Sequence, residues 1–374
     1  MKIIKVSNYG QLLQFVKFPF ELYKDSKCWV PPIIKEEINS FTKGVNPNLE
    51  DCDVSLFLAI QDDEVVGRIA AIINWYEVNT QGIKKIRFGW FDTIDDISVT
   101  KALINEVDKI GVSKKLNFIE GPIGFSNLDK VGVLTSGYDK ISTMITWYNY
   151  PYYKDHFEKL NFQIEKEYLE NKFDFNNIDT DYYSRMAKIV KKRFLLKSIS
   201  FRSTKKVLSY ADEMFDLFNI SYSKLSSFIP INTRQIKYMK EKFLSFINPE
   251  FIKFTLDSND KLIGFAIIMP SFAESLQKSN GKIYPFGFLH LLYAKTFPKN
   301  VTLFLIGVHP DYQNKGVTAV LFDSLLETLK NKGIKECIRT PELKDNTAIN
   351  NLWKNFNPIT YKTRCTFKKD LSNP

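Results

Sequence analysis

The chain has 374 residues, 44% apolar and 14% aromatic, with 52 Lys and Arg against 42 Asp and Glu and a formal net charge of +10. This is ample for two packed cores, and four scattered cysteines with three histidines suggest neither a disulfide framework nor a metal site. No apolar run reaches membrane-spanning length and Lys2, Lys5, Ser7, Asn8 and Gln11 break any signal-like stretch, so the expectation is a cytoplasmic, soluble protein with no membrane partner.

Phe57–Ile72 reads as two strands joined by a polar turn. An aromatic strand at Arg87–Phe91 follows, then Asp92, Asp95 and Asp96, a helix near Val99–Ile110 and a strand at Leu116–Glu120. The insert holding Gly121–Asp129 and Asn149–Tyr153 is rich in Tyr and Pro, suited either to packing or to lining a pocket. Tyr152–Phe162 reads as a closing helix, and the polar stretch Asp174–Asp181 places a domain boundary that divides the chain into 1–175 and 176–374. Between Lys188 and Lys206 stand eight basic residues and no acid, either a solvated face or a grip for a phosphate-bearing ligand. Only eight of the chain's basic residues are Arg, the preferred reader of phosphates and base edges, so a nucleic-acid partner is not expected.

Residues 254–268 repeat the hairpin of the first half, with Asp63 aligned on Asp260 and Gly67 on Gly264, and a period this long suits tandem domains. A second insert spans residues 273–287. Thr302–Val308 is a β-rich run, Gly316 closes a loop, Leu321, Leu325, Leu326 and Leu329 recur at helical spacing from Val317, and Lys335–Thr340 reads as the next strand. Strand, glycine loop and helix start build a phosphate cradle from unpaired N–H groups and the positive helix end. No Gly-Lys-Ser/Thr follows, which excludes a Walker loop, and the three glycines of a dinucleotide fingerprint are missing. The first half has three acids where the second has this loop, so only the second is expected to hold a diphosphate.

Val308 through Thr318 resembles the acyl-CoA-binding motif of the GCN5-related N-acetyltransferases (GNAT), Val-x-Pro-x-Tyr-Gln/Arg-x-x-Gly-x-Gly/Ala, with Thr318 at the last place. Asp345–Trp353 resembles the Asn-bearing turn and helix that close on the pantetheine arm, with Trp353 replacing the usual tyrosine. Gly121–Asp129, Asn149–Tyr153, Phe15–Lys24 and Trp29–Pro32 resemble segments of a group of uncharacterised bacterial tandem acetyltransferase-like proteins, so the resemblance covers most of the chain. It implies an α/β mixed-sheet tandem GNAT fold, degenerate over 1–175 and binding acyl-CoA over 176–374. It further implies an acyl-CoA-dependent N-acyltransferase, with acetyl-CoA as donor and a small-molecule or peptide amine attacking the thioester directly. The implied cofactor contacts are Ile306, Gly307 and Val308 on the strand, Gln313, Asn314, Lys315, Gly316, Val317 and Thr318 in the cradle, and Asn346 and Trp353 beyond it, Asn346 being equally suited to capping a helix.

In that family the protein aligns the amine, polarises the carbonyl and removes one proton. The base is often an acid on the cofactor strand, but Val301–Gly307 has none, which leaves His309, His290 and Glu274 as candidates. The usual tyrosine protonates the departing thiolate, a role an indole N–H cannot fill. Two rival readings stand beside catalysis: an acyl-CoA-binding module without activity, and a tRNA-linked aminoacyl transferase of the same fold.

Overall fold

Hairpins with left-handed turn residues open each half: Asp62 (φ 51°) and Asp63 (φ 63°) in the first, Asp260 (φ 61°) in the second. Short polar side chains tolerate this conformation, which joins the antiparallel strands tightly. The chain is described here from a computed structural model, covering residues 1–126, 128–225, 228–241 and 247–371, so Asn127 of the Gly121–Asp129 segment lies outside the described residues.

In the first half the strands are β1 (Lys2–Lys5), β2 (Cys52–Gln61), β3 (Glu64–Asn74), β4 (Lys85–Thr93), β5 (Phe118–Gly121), β6 (Val133–Ser136) and β7 (Gln163–Asp174). The second half supplies β8 (Lys197–Ser200), β9 (Ile252–Leu256), β10 (Leu262–Pro270), β11 (Asn300–Val308), β12 (Glu336–Arg339), β13 (Glu342–Leu343) and β14 (Ile359–Asp370). They form one sheet in the order β1-β2-β3-β4-β5-β14-β7-β12-β11-β10-β9-β8, with β6 on β14 and β13 on β7.

That order is symmetrical about its centre, where β14 and β7 run antiparallel from Ile359↔Lys172 to Lys368↔Gln163. Each is the last strand of its own half, and each lies against the other half: β14 pairs with β5, and β7 with β12. A buried ion pair, Arg364 with Glu170, joins them. The polar stretch after β7 leads, as its composition suggests, into a new helix, Thr180–Phe194.

The duplication holds at the level of packing. A Cβ on Gly67 would lie 2.9 Å from Val99 and Leu103 of the Ile97–Ser113 helix, and one on Gly264 2.9 Å from Val317 and 3.5 Å from Leu321 of the Val317–Asn331 helix. In both halves a bare glycine lets the helix after the fourth strand lie close on the sheet. Val317, Leu321, Leu325 and Leu329 of the second of these helices belong to the larger core, which also takes Phe254, Phe265, Ile267 and Val301 from the sheet.

Candidate functional site

Strand β11 loses one neighbour partway along. Its parallel pairing with β12 runs from Asn300↔Glu336 to Leu303↔Arg339 and stops, while its pairing with β10 continues to Gly264↔Val308, past a register shift between Ile267 and Ile268. A gap therefore opens along residues 304–308. Backbone groups alternate sides along a strand, and His309 N–H donates to Ile263 O at 2.8 Å, so the odd-numbered residues face β10 and the even-numbered ones face the gap. The gap-facing carbonyls are taken by side chains: Tyr222 Oη–H donates to Ile306 O (2.9 Å), and Ser221 Oγ–H and Gln313 Nε2–H to Val308 O (both 3.2 Å). The N–H groups of Ile306 and Val308 share that side and are positioned to meet a ligand. Gly307 differs. Its amide turns to β10, and its bare Cα is required by the Phe265 ring, which a Cβ would meet at 2.5 Å.

The gap leads to the start of the Val317–Asn331 helix. Gly316 is its N-cap at φ 79°, and no side chain caps it, so the first-turn N–H groups point outward. From Gln313 to Thr318 there is no acid. Lys315 Nζ and the Arg193 guanidinium both lie over the Phe194 ring, at 5.8 and 5.3 Å, which adds positive charge to the rim. These features fit a diphosphate. The glycine, however, has a structural reason of its own, because a Cβ on Gly316 would lie 2.7 Å from Val190 on the neighbouring helix. Gly316→Ala is accordingly expected to cost about 2–4 kcal/mol of stability in denaturant unfolding, from the left-handed φ and the clash together.

The first half shows what a closed version of this gap looks like. Pairing of β4 with β5 likewise stops early, at Arg87↔Glu120. Here Ile123 N–H fills the opening by donating to Phe88 O (2.7 Å), Thr93 N–H donates to Tyr153 Oη (3.0 Å), and Tyr152 Oη–H donates to Thr93 O (2.6 Å). The register that sets Gly67 on Thr93 and Gly264 on Val308 makes Thr93 the counterpart of Val308. Its backbone is satisfied internally. With Val99 matched to Val317, Ile97 and Ser98 stand where the second half has Lys315 and Gly316, and Asp96 caps the helix by accepting from Ser98 N–H at 2.7 Å. The anion at this helix start is the chain's own carboxylate. Both readings of the Tyr- and Pro-rich insert hold: Tyr153 packs in a buried hydrogen-bonded group with Tyr23, Arg68 and Asp92, while Ile123, Ser126, Leu128 and Asp129 line a cavity.

A cavity of about 690 Å³ runs from the cradle along the β11 gap to the first half. Among the expected contacts, Ile306, Gly307, Val308, Gln313, Asn314, Gly316, Val317, Thr318 and Asn346 line it. Asn346 also caps the Thr347–Trp353 helix by accepting from Ile349 N–H (3.3 Å), so both of its readings coexist. Lys315 lies at the rim. Trp353 is a correction: it is 1% exposed, stacked on Phe173 at 5.6 Å and packed against Phe322 and Phe356, with the Arg339 guanidinium 4.7 Å from its ring centre. The phase of the short helix turns it into the core. Trp353→Phe should therefore lower stability by about 1–2 kcal/mol while leaving acyl-CoA affinity unchanged in calorimetry.

The three candidate bases are not on the cavity wall. The second insert extends past residue 287 in the structure, as the helices Ala273–Ser279 and Gly287–Thr296, on which Glu274 and His290 are exposed, and His309 caps the turn after β11, its Nδ1 accepting from Asp311 N–H at 3.3 Å. The wall instead takes Arg87, Asp129, Lys166 and Tyr168 from the first half and Glu342 from the second. Sequence reasoning reached only the segment holding Asp129. Tyr168 lies on β7, whose crossing to the other half brings it here, and burial raises its pKa well above that of a free phenol, so the hydroxyl stays protonated at neutral pH. Of the basic run from Lys188 to Lys206, Lys188, Lys192, Arg193, Lys197, Arg202, Lys205 and Lys206 are exposed, as a solvated face would be, with Arg193 also at the cradle rim.

Residues 211–357 match the acetyltransferase (GNAT) family. Over 97% of its length the chain is 24% identical to protein YghO of Escherichia coli, covering 94% of that protein, and over 99% it is 22% identical to a bacterial ceramide synthase of Caulobacter vibrioides, covering 98% of it. Among solved structures, a tandem GNAT protein from the clavulanic acid biosynthesis pathway superposes with a TM-score of 0.57 at 10% identity, over 99% of this chain and 98% of that one. A GCN5-related N-acetyltransferase from Sphaerobacter thermophilus gives 0.55 at 7%, over 99% and 96%. With one closed groove and one open groove on a shared sheet, the chain has the tandem GNAT fold, and within it residues 211–357 match the acetyltransferase (GNAT) family.

Proposed function

We propose that the chain is an acyl-CoA-dependent N-acyltransferase working in its second half, and that its donor carries an acyl group longer than acetyl. The observation that carries this reading is the uncapped helix start at Gly316 opening onto the β11 gap, with the about 690 Å³ cavity behind it. The coenzyme diphosphate would lie on the helix N-terminus, and the N–H groups of Ile306 and Val308 would hold the pantetheine arm and polarise the thioester carbonyl. The coenzyme's own arm would take the part of the cavity along Ile306–Thr318, and the apolar walls supplied by Leu128, Ile145, Phe218 and Leu225 suit a longer acyl chain better than acetyl. The full-length likeness to a protein named ceramide synthase supports a lipid-like amine as acceptor, since a ceramide is an N-acylated lipid amine.

Within this reading Tyr168 takes the proton-donating part that Trp353 cannot fill: its hydroxyl protonates the departing thiolate, and the proton shed by the newly acylated amine returns through water to the phenolate. Tyr168→Phe is expected to lower kcat about 100-fold with acyl-CoA affinity unchanged, checked by steady-state kinetics beside calorimetry. The central experiment is calorimetry with acetyl-, octanoyl- and palmitoyl-CoA, followed by mass spectrometry for amide product on a panel of short and long-chain amines. Tighter binding of the longer donors and an amide of a long-chain amine is the expected result; preference for acetyl-CoA with a polar amine would overturn the donor assignment. A non-catalytic acyl-CoA-binding role is the second reading, favoured by the absence of His309, His290 and Glu274 from the cavity wall, and retention of acyl-CoA without any amide product would select it.

A further inference from the structure

The second insert carries a surface that the transferase reading does not use. Of eighteen large apolar side chains exposed among the described residues, seven fall between Tyr284 and Phe297. Tyr284 is 80% exposed, Phe286 69%, Leu292 56%, Tyr293 62% and Phe297 64%, most of them on or beside the helix Gly287–Thr296. Such a concentration is unusual for a surface left in water, where exposed apolar residues are normally scattered.

The inner side of the insert is firmly seated. Leu276, Leu291 and Ala294 pack on Val30, Ile141 and Met144. Ile34 N–H donates to Gly281 O at 3.1 Å, and Gln277 Nε2–H to the carbonyls of Lys27 and Trp29 at 2.9 and 2.8 Å. Gly281 is pressed so closely on Pro32 and Phe20 that a Cβ would meet them at 2.4 and 2.7 Å. The apolar side chains are thus held outward on a fixed platform.

The charge around them indicates what covers them. From Lys278 to Lys299 the sequence has four lysines and no acid, and Lys278, Lys282 and Lys299 are exposed with Lys27 nearby. Aromatic and aliphatic side chains ringed by lysine match the interface of an anionic bilayer, where the rings enter the headgroup region and the lysines meet lipid phosphates. A second copy of the chain would bring the same lysines face to face across a two-fold contact. No helix among the described residues is long and apolar enough to cross a membrane.

We propose that the Tyr284–Phe297 face docks the protein on the surface of an anionic lipid bilayer. Met144, beneath the insert, adjoins Ile145 on the cavity wall, so docking sets the cavity beside the lipid phase. The docking itself does not depend on the proposed reaction, and its test needs no acyl-CoA.

The full chain is sedimented with vesicles of phosphatidylcholine alone or with 30% phosphatidylglycerol, beside Leu292→Ser/Tyr293→Ser and Lys282→Gln/Lys299→Gln. The expected result is binding to the anionic vesicles that falls at least about tenfold in the apolar double variant, and about 25-fold in the lysine double variant at a factor of about five per charge. Both changes are on the surface, and circular dichroism confirms folding. Failure to sediment with either vesicle, or undiminished binding of the apolar variant, overturns the proposal. So does a concentration-dependent dimer in ultracentrifugation that Leu292→Ser/Tyr293→Ser breaks without any vesicle binding by the native chain.

Discussion

Thr318→Glu is expected to weaken acyl-CoA binding at least about 100-fold while leaving the melting temperature unchanged or slightly raised. Thr318 is the second residue of the Val317–Asn331 helix and lines the cavity. A carboxylate there faces a helix start without a cap, an arrangement that stabilises a helix by about 0.3–1 kcal/mol. The same charge stands where the coenzyme's diphosphate would lie, and two unit charges about 4 Å apart repel by about 4 kcal/mol at an effective dielectric of 20. Opposite signs for folding and binding make this change more informative than one at Gly316, where Val190 contact and left-handed backbone would disturb the fold as well. Calorimetry and a thermal melt on the same sample check it; undiminished affinity would show that the phosphates bind elsewhere.

The second large effect lies in the first half. Glu77→Gln is expected to destabilise the fold by about 3–5 kcal/mol in denaturant unfolding, because it removes the carboxylate that neutralises the buried Arg87. Arg87 donates to Glu77 through Nε (2.8 Å) and Nη2 (2.6 Å), and Lys85 lies 2.9 Å from Glu77 and 2.8 Å from Glu120, all within the protein interior. The network also reaches the cavity, since Arg87 Nη1–H donates to Gly124 O (2.9 Å) on the loop that precedes Asp129. Loosening that loop should weaken acceptor binding more than acyl-CoA binding.

The network gives stability a definite pH dependence. Burial by itself would raise the pKa of Glu77, but Arg87 and Lys85 outweigh it and hold the carboxyl below its ordinary value; Glu120 is held down likewise, by Lys85 and Lys166 against burial. A carboxyl with a lower pKa in the folded than the unfolded chain contributes its full stability above the unfolded value, about 4.3. That contribution disappears as the pH falls through the folded values. The native protein should lose stability steeply from about pH 5 downward, and Glu77→Gln should flatten the slope.

What the sequence made legible was local. The turn at Asp62–Asp63, the strand before His309 and the helix from Val317 each rest on neighbours a few residues apart, and the cradle is such a feature. Of the three acids that follow the aromatic run Arg87–Phe91, Asp92 falls inside β4 and pairs with Arg68, and Asp96 caps the helix, while the hydroxyl groups of Tyr152 and Tyr153 take the backbone of Thr93, contacts no local pattern announces. Long-range placement was not legible. Nothing in residues 163–174 announces that they will pair with β12, so Tyr168 could not be set on the cavity wall in advance. Trp353 was misplaced because one short helix can turn either face inward, and the stacking surface of Phe173, from the other half, decides which.

Because the last strand of each half is lent to the other, the two cannot be separated by trimming at the linker. A shortened gene encoding only the cradle-bearing part would lose β7, leaving β12 and β14 as bare edges open to stray partners, a familiar route to insoluble product. A deletion that removed the closing segment from Ile359 would in turn strip the neighbour from β5 and damage the part of the molecule farthest along the chain from the lesion.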